Sequence, residues 1–271
     1  MAIRFEEGLP QRIMVVKCGT KNLLDPLAFT DYANQIVEIW NGMDIGVVVV
    51  SSGAIYQGWN RMNELGENSP FLEQEELAGI GSRHLLNAWG DAFELEDKKE
   101  VGQVWVTDTN LNDEREGKSI KKRILNYLKA GVIPIINEND VVSNKEIEWM
   151  EQGISENDRL ARKIAELIGA DEILFLTDVG GVYEDNPNLN HQARMYKELT
   201  PADASSISTT QSDILGKGGM KAKLEEAVQC FNAGMRVAIA GNEKDAILKF
   251  ARRESVGTAI GTTTKFKKME E

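Results

Sequence analysis

Residues 132–142, VIPIINENDVV, constrain the fold more than any other stretch of the chain. The first half is an apolar, largely β-branched run, the pattern of a strand buried on both faces of its sheet. Such strands belong to parallel sheets with helices on either side, because that layering hides both faces from water. The run then breaks into Asn137-Glu138-Asn139-Asp140, four polar side chains at the carboxyl end of a core strand. Ligands bind at that end of the strands in open α/β sheets. A polar turn is the plainer reading, but the concentration of carboxylate and carboxamide groups favours a ligand site.

The same rhythm recurs along the chain. Residues 13–18 read as a buried strand ending in Lys17-Cys18-Gly19-Thr20. Asp25-Pro26 reads as an N-cap followed by proline at the first helical position. Leu27, Tyr32, Ile36, Ile39 and Trp40 then supply an apolar helix face up to a terminating Gly42. Residues 45–50 form a second strand, ending in Ser51-Ser52-Gly53-Ala54. That strand–helix–strand order implies a parallel pair with a right-handed crossover. Residues 64–70 are loop-like, 71–93 are helical with an interruption at 79–81, and 101–107 form a strand. Residues 113–129 form a charged helix with Ile120, Ile124, Leu125 and Leu128 on one face.

Residues 145–150 alternate weakly, and Gln152-Gly153 would close a small hairpin with them. Residues 155–168 form a helix, with Ser155 as N-cap and Asp158 at the capping-box spacing. A strand at 173–176 runs into Thr177-Asp178. Residues 186–190 and 205–212 are loop-like. A glycine-rich loop at 215–220 opens a helix at 221–233, followed by a strand at 237–240, a helix at 243–252 and a last strand at 258–262. No internal repeat or low-complexity segment interrupts this order. The alternation predicts an α/β fold with a mainly parallel central sheet covered on both faces.

Composition excludes several classes. With 31 Lys and Arg against 43 Asp and Glu, the net charge of −12 leaves no general basic surface for a nucleic-acid partner. Two cysteines, Cys18 and Cys230, far apart in sequence, make no disulfide framework and suit a reducing compartment. The first residues lack the apolar core of a signal peptide, and the longest aliphatic run, residues 47–50, is far too short for a bilayer. The expected location is cytoplasmic, with no membrane partner.

Gly216-Lys217-Gly218-Gly219-Met220-Lys221-Ala222-Lys223 is the strongest phosphate signal. Glycines let the backbone approach an anion, and amides at a helix N-terminus point at it. A lysine so early in a helix opposes the macrodipole, so Lys223 needs another reason to exist, which a bound polyphosphate supplies. The segment is not a Walker A motif. Gly117-Lys118-Ser119 only looks like the tail of one, since Asn112 holds the required first glycine position, and it reads as surface helix. Lys17 and the Ser51-Ser52-Gly53 turn put further anion-compatible groups after two strands. Asp158 near two lysines would hold them in place, and Thr177-Asp178 could touch a nucleotide or its metal. Asn157 and Asp158 could equally be simple caps. His84 and His191 have no partners at metal-ligand spacing, no G-x-S-x-G is present, and no metal-binding protein residue is assigned.

VVKCGT (15–20), SSGAI (51–55), PIINENDVV (134–142), SENDRLA (155–161), LTDVGGVYEDNP (176–187), GKGGMKAKL (216–224) and VGTAIG (256–261) together resemble the amino-acid kinase superfamily and, within it, the glutamate 5-kinase family. The segments occur in that family's order and span nearly the whole chain. The resemblance implies a three-layer αβα sandwich in one domain over residues 10–262, with tails at 1–9 and 263–271. It implies ATP-dependent phosphorylation of the side-chain carboxylate of L-glutamate, with Mg²⁺, as the first step of proline biosynthesis.

By matching position, Lys17 and Lys223 would be the cations on the transferring group, oriented by Asp158. Ser52, Gly53, Asn137, Asp140 and Asn157 would bind glutamate, with Asp140 facing its ammonium. Lys17, Gly19, Thr20, Thr177, Asp178, Gly218, Gly219, Met220, Lys221, Ala222 and Lys223 would hold ATP. Proline as feedback inhibitor, a homo-oligomer and contact with glutamyl-phosphate reductase are further implications.

The chain departs from the family pattern at Glu156, where Asp is usual, at Lys217 and Lys221 in the glycine loop, and at Ser119, where Asn is usual. The connection from Asp140 to Asn157 is also a few residues longer. Many relatives continue into a C-terminal RNA-binding-like (PUA) domain, whereas this sequence stops at Glu271, as the family's short form does. The alternatives are a related enzyme with another carboxylate or a phosphate as acceptor, and a non-catalytic ligand sensor of the same fold.

Overall fold

The structure, a computed structural model, describes residues 8–66, 71–97, 99–143, 156–210, 219–241, 243–261 and 267–268. These fall into two compact units, one drawn from Met1–Gln11 and Cys18–Asn144, the other from Arg12–Lys17 and Lys145–Glu271. Both are α/β, with mostly parallel strands flanked by helices, as the alternation predicts. Among the described residues no helix is long and apolar enough to cross a membrane. The expected hairpin at 145–153, the Ser155 cap and the glycine loop through Gly218 lie outside the described residues.

In the first unit, strands β2 (Ile45–Ser51), β3 (Val101–Val106) and β4 (Ile133–Glu138) run parallel with β4 between the other two. β2 is buried along its whole length, which is why it reads as Ile-Gly-Val-Val-Val-Val rather than as alternating residues. The register pairs Val50 with Ile136 and Val106 with Glu138, so the carboxyl ends of β2 and β4 come level.

Helix α1 (Leu27–Met43) starts one residue later than the sequence suggests, with Pro26 just ahead of it, and the Asp25 carboxylate accepts from the Leu27 amide at 3.0 Å. It ends differently. Gly42 stays helical, and Asp44 takes the left-handed conformation at φ 49° that stops the helix.

Two helices are packed by glycine. Helix α2 (Ala54–Glu64) starts directly after Ser52 and Gly53, and α3 (Gln74–Asp97) runs uninterrupted through Gly79 and Gly81. The expected break at 79–81 is instead a packing seam. A Cβ on Gly81 would lie 1.8 Å from the Ala54 carbonyl oxygen, and one on Gly58 would lie 1.9 Å from that of Leu77. The two backbones therefore touch, and a side chain at either position would force them apart. Gly81→Ala is expected to destabilise the protein by about 1–3 kcal/mol through overpacking, read as a lower urea midpoint. An unchanged midpoint would mean that the helices separate at no cost. Beyond β3, the short helix α4 (Asp108–Asn112) is closed by a Thr107–Asn110 capping box, and α5 (Glu114–Lys129) is capped by Asp113.

In the second unit, the Arg12–Lys17 part of β1 (Arg12–Cys18) pairs in parallel with β5 (Glu172–Leu176), and β5 with β7 (Arg236–Ala240). Strand β6 (Tyr196–Leu199) is parallel to β8 (Thr258–Ile260). Antiparallel pairing enters between β7 and β8, and between β6 and the short β9 (Lys267–Lys268). The helices are α6 (Glu156–Ile168), α7 (Pro201–Thr210), α8 (Gly219–Asn232) and α9 (Ala246–Ala251). Helix α7 occupies part of the segment expected as loop at 205–212. Its Thr200 and Asp203 cap each other, a signal that lies five residues before the serine-rich run.

At the amino ends of these strands, the buried Glu172 carboxylate gathers Arg12 at 2.8 Å and Arg236 at 3.4 Å, with Arg253 at 3.9 Å. The Arg236 contact is ionic only, since its Nη1 is out of hydrogen-bonding line. The cluster ties β1, β5 and β7 together at the end opposite their carboxyl termini.

Candidate active site

Three charged residues meet in the second unit, each supplied by a different element. Lys17 sits near the end of β1, Asp158 in the first turn of α6, and Lys223 in the second turn of α8. The Asp158 Oδ1 lies 2.8 Å from the Lys17 ammonium. The Lys223 ammonium donates to both Asp158 oxygens, at 2.8 and 2.9 Å. Exposure is 4% for Lys17, 0% for Asp158 and 6% for Lys223, which places two cations and one anion almost out of water. The three side chains together carry a formal charge of +1, with Asp178 acting on Lys223 from nearby.

Burial alone would raise the Asp158 pKa, but the adjacent Lys223 and Lys17 ammonium groups outweigh it and hold the carboxyl below its ordinary value. Lys223 moves the other way, down to about 8. Burial is the largest cause and repulsion from Lys17 the next, only partly offset by Asp158 and Asp178. The Lys223 ammonium also stands 5.7 Å from the centre of the Phe175 ring. Buried lysines with no apolar role, one of them with a depressed pKa, mark a functional site more often than a structural one.

The neighbouring residues are held by the strand ends. The Thr177 amide donates to the Ala240 carbonyl at 2.8 Å, and the Thr177 hydroxyl donates to Asp178 at 3.3 Å. Farther along that loop, the Val182 amide donates to the buried Thr258 hydroxyl, which itself donates to the Tyr196 carbonyl. Gly219, Met220, Lys221 and Ala222 form the first turn of α8 just ahead of Lys223. Asn157 lies beside Asp158 on α6. Its Oδ1 is buried and accepts no hydrogen bond from any described residue, an unmet acceptor at the position expected to hold an ammonium-bearing ligand.

In the first unit, Ser52, Gly53, Asn137 and Asp140 sit at the carboxyl ends of β2 and β4, where the sequence places them. The Ser52 amide donates to the Cys18 carbonyl at 2.9 Å. Gly53 has φ 113°, a left-handed value that glycine alone adopts without strain, and it turns the chain into α2. Ser51 is taken up by Trp89, whose indole donates to its hydroxyl at 2.9 Å. Asn137 is 2% exposed. Glu138 and Asn139 shape the turn: Glu138 accepts from the Ser143 hydroxyl at 2.6 Å, and the Asn139 carbonyl accepts from the Val142 and Ser143 amides. Asp140 is half-buried in that turn. Gly19 and Thr20 open a short 3-10 helix, Thr20–Leu23.

Residues 12–241 match the profile of the amino acid kinase family. Curated relatives include the glutamate 5-kinase of Pelagibacter ubique, 32% identical over 84% of this chain and 62% of its own length. Those of Herpetosiphon aurantiacus (31% identical; 93% and 69%) and Dehalococcoides mccartyi (35% identical; 90% and 67%) are similar. The chain belongs to the amino acid kinase family, in its glutamate 5-kinase branch. It spans about two thirds of the length of these relatives, 62% of the Pelagibacter protein. Among solved structures, carbamate kinase from Giardia lamblia bound to AMP-PNP superposes with TM-score 0.66 at 14% identity, covering 92% of this chain and 98% of that one. UMP kinase from Ureaplasma parvum gives 0.59 at 16% identity, with 93% and 99% covered. These likenesses carry the fold.

Sequence reading missed the partners behind the site. Phe175 under the Lys223 ammonium and the Thr258 brace carry no motif. An ion pair between Arg162 and Glu226 was detectable only as spacing: Arg162 is four residues after Asp158, and Glu226 three after Lys223.

Proposed function

We propose that the chain transfers the γ-phosphoryl group of ATP to the side-chain carboxylate of L-glutamate. The observation that carries this reading is Asp158 holding two buried lysines, each within 2.8 Å. Phosphoryl transfer asks little covalent work of a protein. It needs aligned reactants and fixed positive charge where negative charge spreads over the transferring group. Lys17 and Lys223 supply that charge, and Asp158 fixes both ammonium groups before any reactant arrives, so little reorganisation is left for the reaction itself. The α8 N-terminus adds backbone donors suited to phosphate, and Thr177 and Asp178 lie beside the same cluster.

Mg²⁺ bound to the nucleotide would neutralise charge on the β- and γ-phosphates. No group of three or more His, Cys, Asp or Glu suited to a metal occurs among the described residues. The acceptor half of the proposal rests on Ser52, Gly53, Asn137, Asp140 and Asn157. Proline as inhibitor, a homo-oligomer and contact with a glutamyl-phosphate reductase belong to the same reading.

A coupled ADP-release assay across a panel of acidic metabolites tests the assignment. Turnover with L-glutamate is expected, and turnover confined to another acceptor would overturn it. Asp140→Ala is expected to raise KM for glutamate at least about tenfold while KM for ATP stays within about twofold. An unchanged glutamate KM would remove the ammonium contact.

The site also predicts opposite pH trends for activity and stability. Above about 8, Lys223 loses its proton in the folded protein, so kcat/KM is expected to fall on an alkaline limb beginning there. In the unfolded chain the same lysine stays protonated to about 10.4. Between those values the unfolded state binds more protons than the native state, so this group's contribution to stability rises with pH. Kinetic and urea-unfolding profiles over pH 7–10 check both signs.

A further inference from the structure

Asp158 and Lys223 meet across α6 and α8, and about one turn farther along both helices a second ion pair repeats the contact with its charges exchanged. Arg162, on α6, donates through Nε to Glu226 on α8 at 2.5 Å. Its Nη1 donates to both oxygens of Glu166, one turn on, at 3.0 and 2.9 Å. Glu226 is 7% exposed and Arg162 is part-buried, while Glu166 lies nearer the solvent, so this rung is wetter than the first. Ala222, Leu224, Ala227 and Cys230 bury the remaining α8 face around it.

We propose that the Arg162–Glu226 pair is a positioning device for Lys223. It holds α8 on α6 so that the Lys223 ammonium keeps its place when a phosphoryl group engages it. The inference rests on the reading of Lys223 as a phosphoryl-binding cation.

The argument is one of competition. An ammonium has three donors, and Asp158 occupies two of those of Lys223. One donor is left for a first phosphoryl oxygen, and any further contact draws on the two that hold Asp158, so the first rung loosens its hold on α8 at the step where alignment matters most. A misplacement of about 1 Å costs on the order of 10²-fold in rate. Lysine offers no stiffness of its own, since its charge sits on a flexible four-carbon stem. The second rung engages no reactant, and the planar guanidinium of Arg162 is fixed from two directions by Glu226 and Glu166, so its hold persists through the reaction.

The test is a double-mutant cycle with Arg162→Gln, Glu226→Gln and the two combined, in the full chain. Each single variant is expected to lower kcat about tenfold with KM for ATP and glutamate within about twofold, and the double variant to lose no more than either single. Glu172→Gln, which weakens the arginine cluster at the other end of the strands, serves as a control for general destabilisation and is expected to keep kcat within about twofold.

Hydrogen exchange read by mass spectrometry supplies an arm independent of activity. Exchange in residues 219–232 is expected to quicken in the Arg162 and Glu226 variants and not in Glu172→Gln. Additive losses in the cycle, kcat unchanged in the singles, or wild-type exchange in α8 would each overturn the proposal. If the wild-type chain does not phosphorylate glutamate, the functional reading fails by itself, and exchange in α8 still decides whether this pair holds the helix.

Discussion

Lys223→Ala is expected to lower kcat by a factor on the order of 10²–10³, the usual consequence of losing one preorganised electrostatic group. The protein should stay folded and keep its secondary structure. The variant removes a buried charge whose pKa is already depressed by burial and by Lys17, so the change relieves an electrostatic cost of the native state while it removes a cation from the reaction. Asp158 retains Lys17 as its partner at 2.8 Å. Activity and stability are therefore expected to separate. Steady-state kinetics beside urea unfolding makes the comparison, and wild-type turnover in the variant would remove Lys223 from the mechanism.

Asp158→Ala is expected to do the reverse in one respect: it should damage both properties. The carboxylate is fully buried and is the shared partner of two nearly buried ammonium groups. Its removal leaves Lys17 and Lys223 facing each other with no anion between them. Breaking a buried ion pair from one side typically costs about 3–5 kcal/mol, and a large fall in the thermal midpoint is expected, together with loss of phosphoryl transfer. Asp158→Asn keeps the shape and part of the hydrogen bonding but not the charge, so it should fall between the two. A midpoint within about 2 °C of wild type for Asp158→Ala would show that the lysines find other partners, since a loss of 1 kcal/mol already shifts a domain of this size by about that much.

Much of this architecture was legible because buried parallel strands have an unmistakable composition. The runs at 13–18, 45–50, 132–136 and 173–176 are too apolar to be anything but core, and each is followed by small or polar residues. The strand ends therefore announced Lys17, Ser52, Asn137 and Thr177 by position alone. Asp158 was legible as a charge near two lysines, and the structure brings those three together.

Four features were not legible, each for a physical reason. Gly79 and Gly81 look like a helix break because glycine costs helix propensity, but that cost is offset by a backbone contact supplied by α2, which no local pattern reports. Gly42 looks like a helix stop, yet Asp44 is the residue that turns left-handed, because the helix end is fixed by where β2 must begin. The serines at 205–206 look like loop, yet a Thr200–Asp203 cap upstream commits them to α7. Helix α2 was hidden for a related reason: its start is a glycine in a left-handed conformation rather than a side-chain cap.

The glycine seam between α2 and α3 has a mechanical consequence. Ordinary helix contacts are cushioned by side chains, whose rotamers absorb small displacements before the partner helix feels them. Where the Gly81 and Gly58 positions bring main chain against main chain, that compliance is missing. The turn at Ser52 and Gly53 leads straight into α2, so the end of β2 is joined to α3 through backbone contact rather than through adjustable side chains.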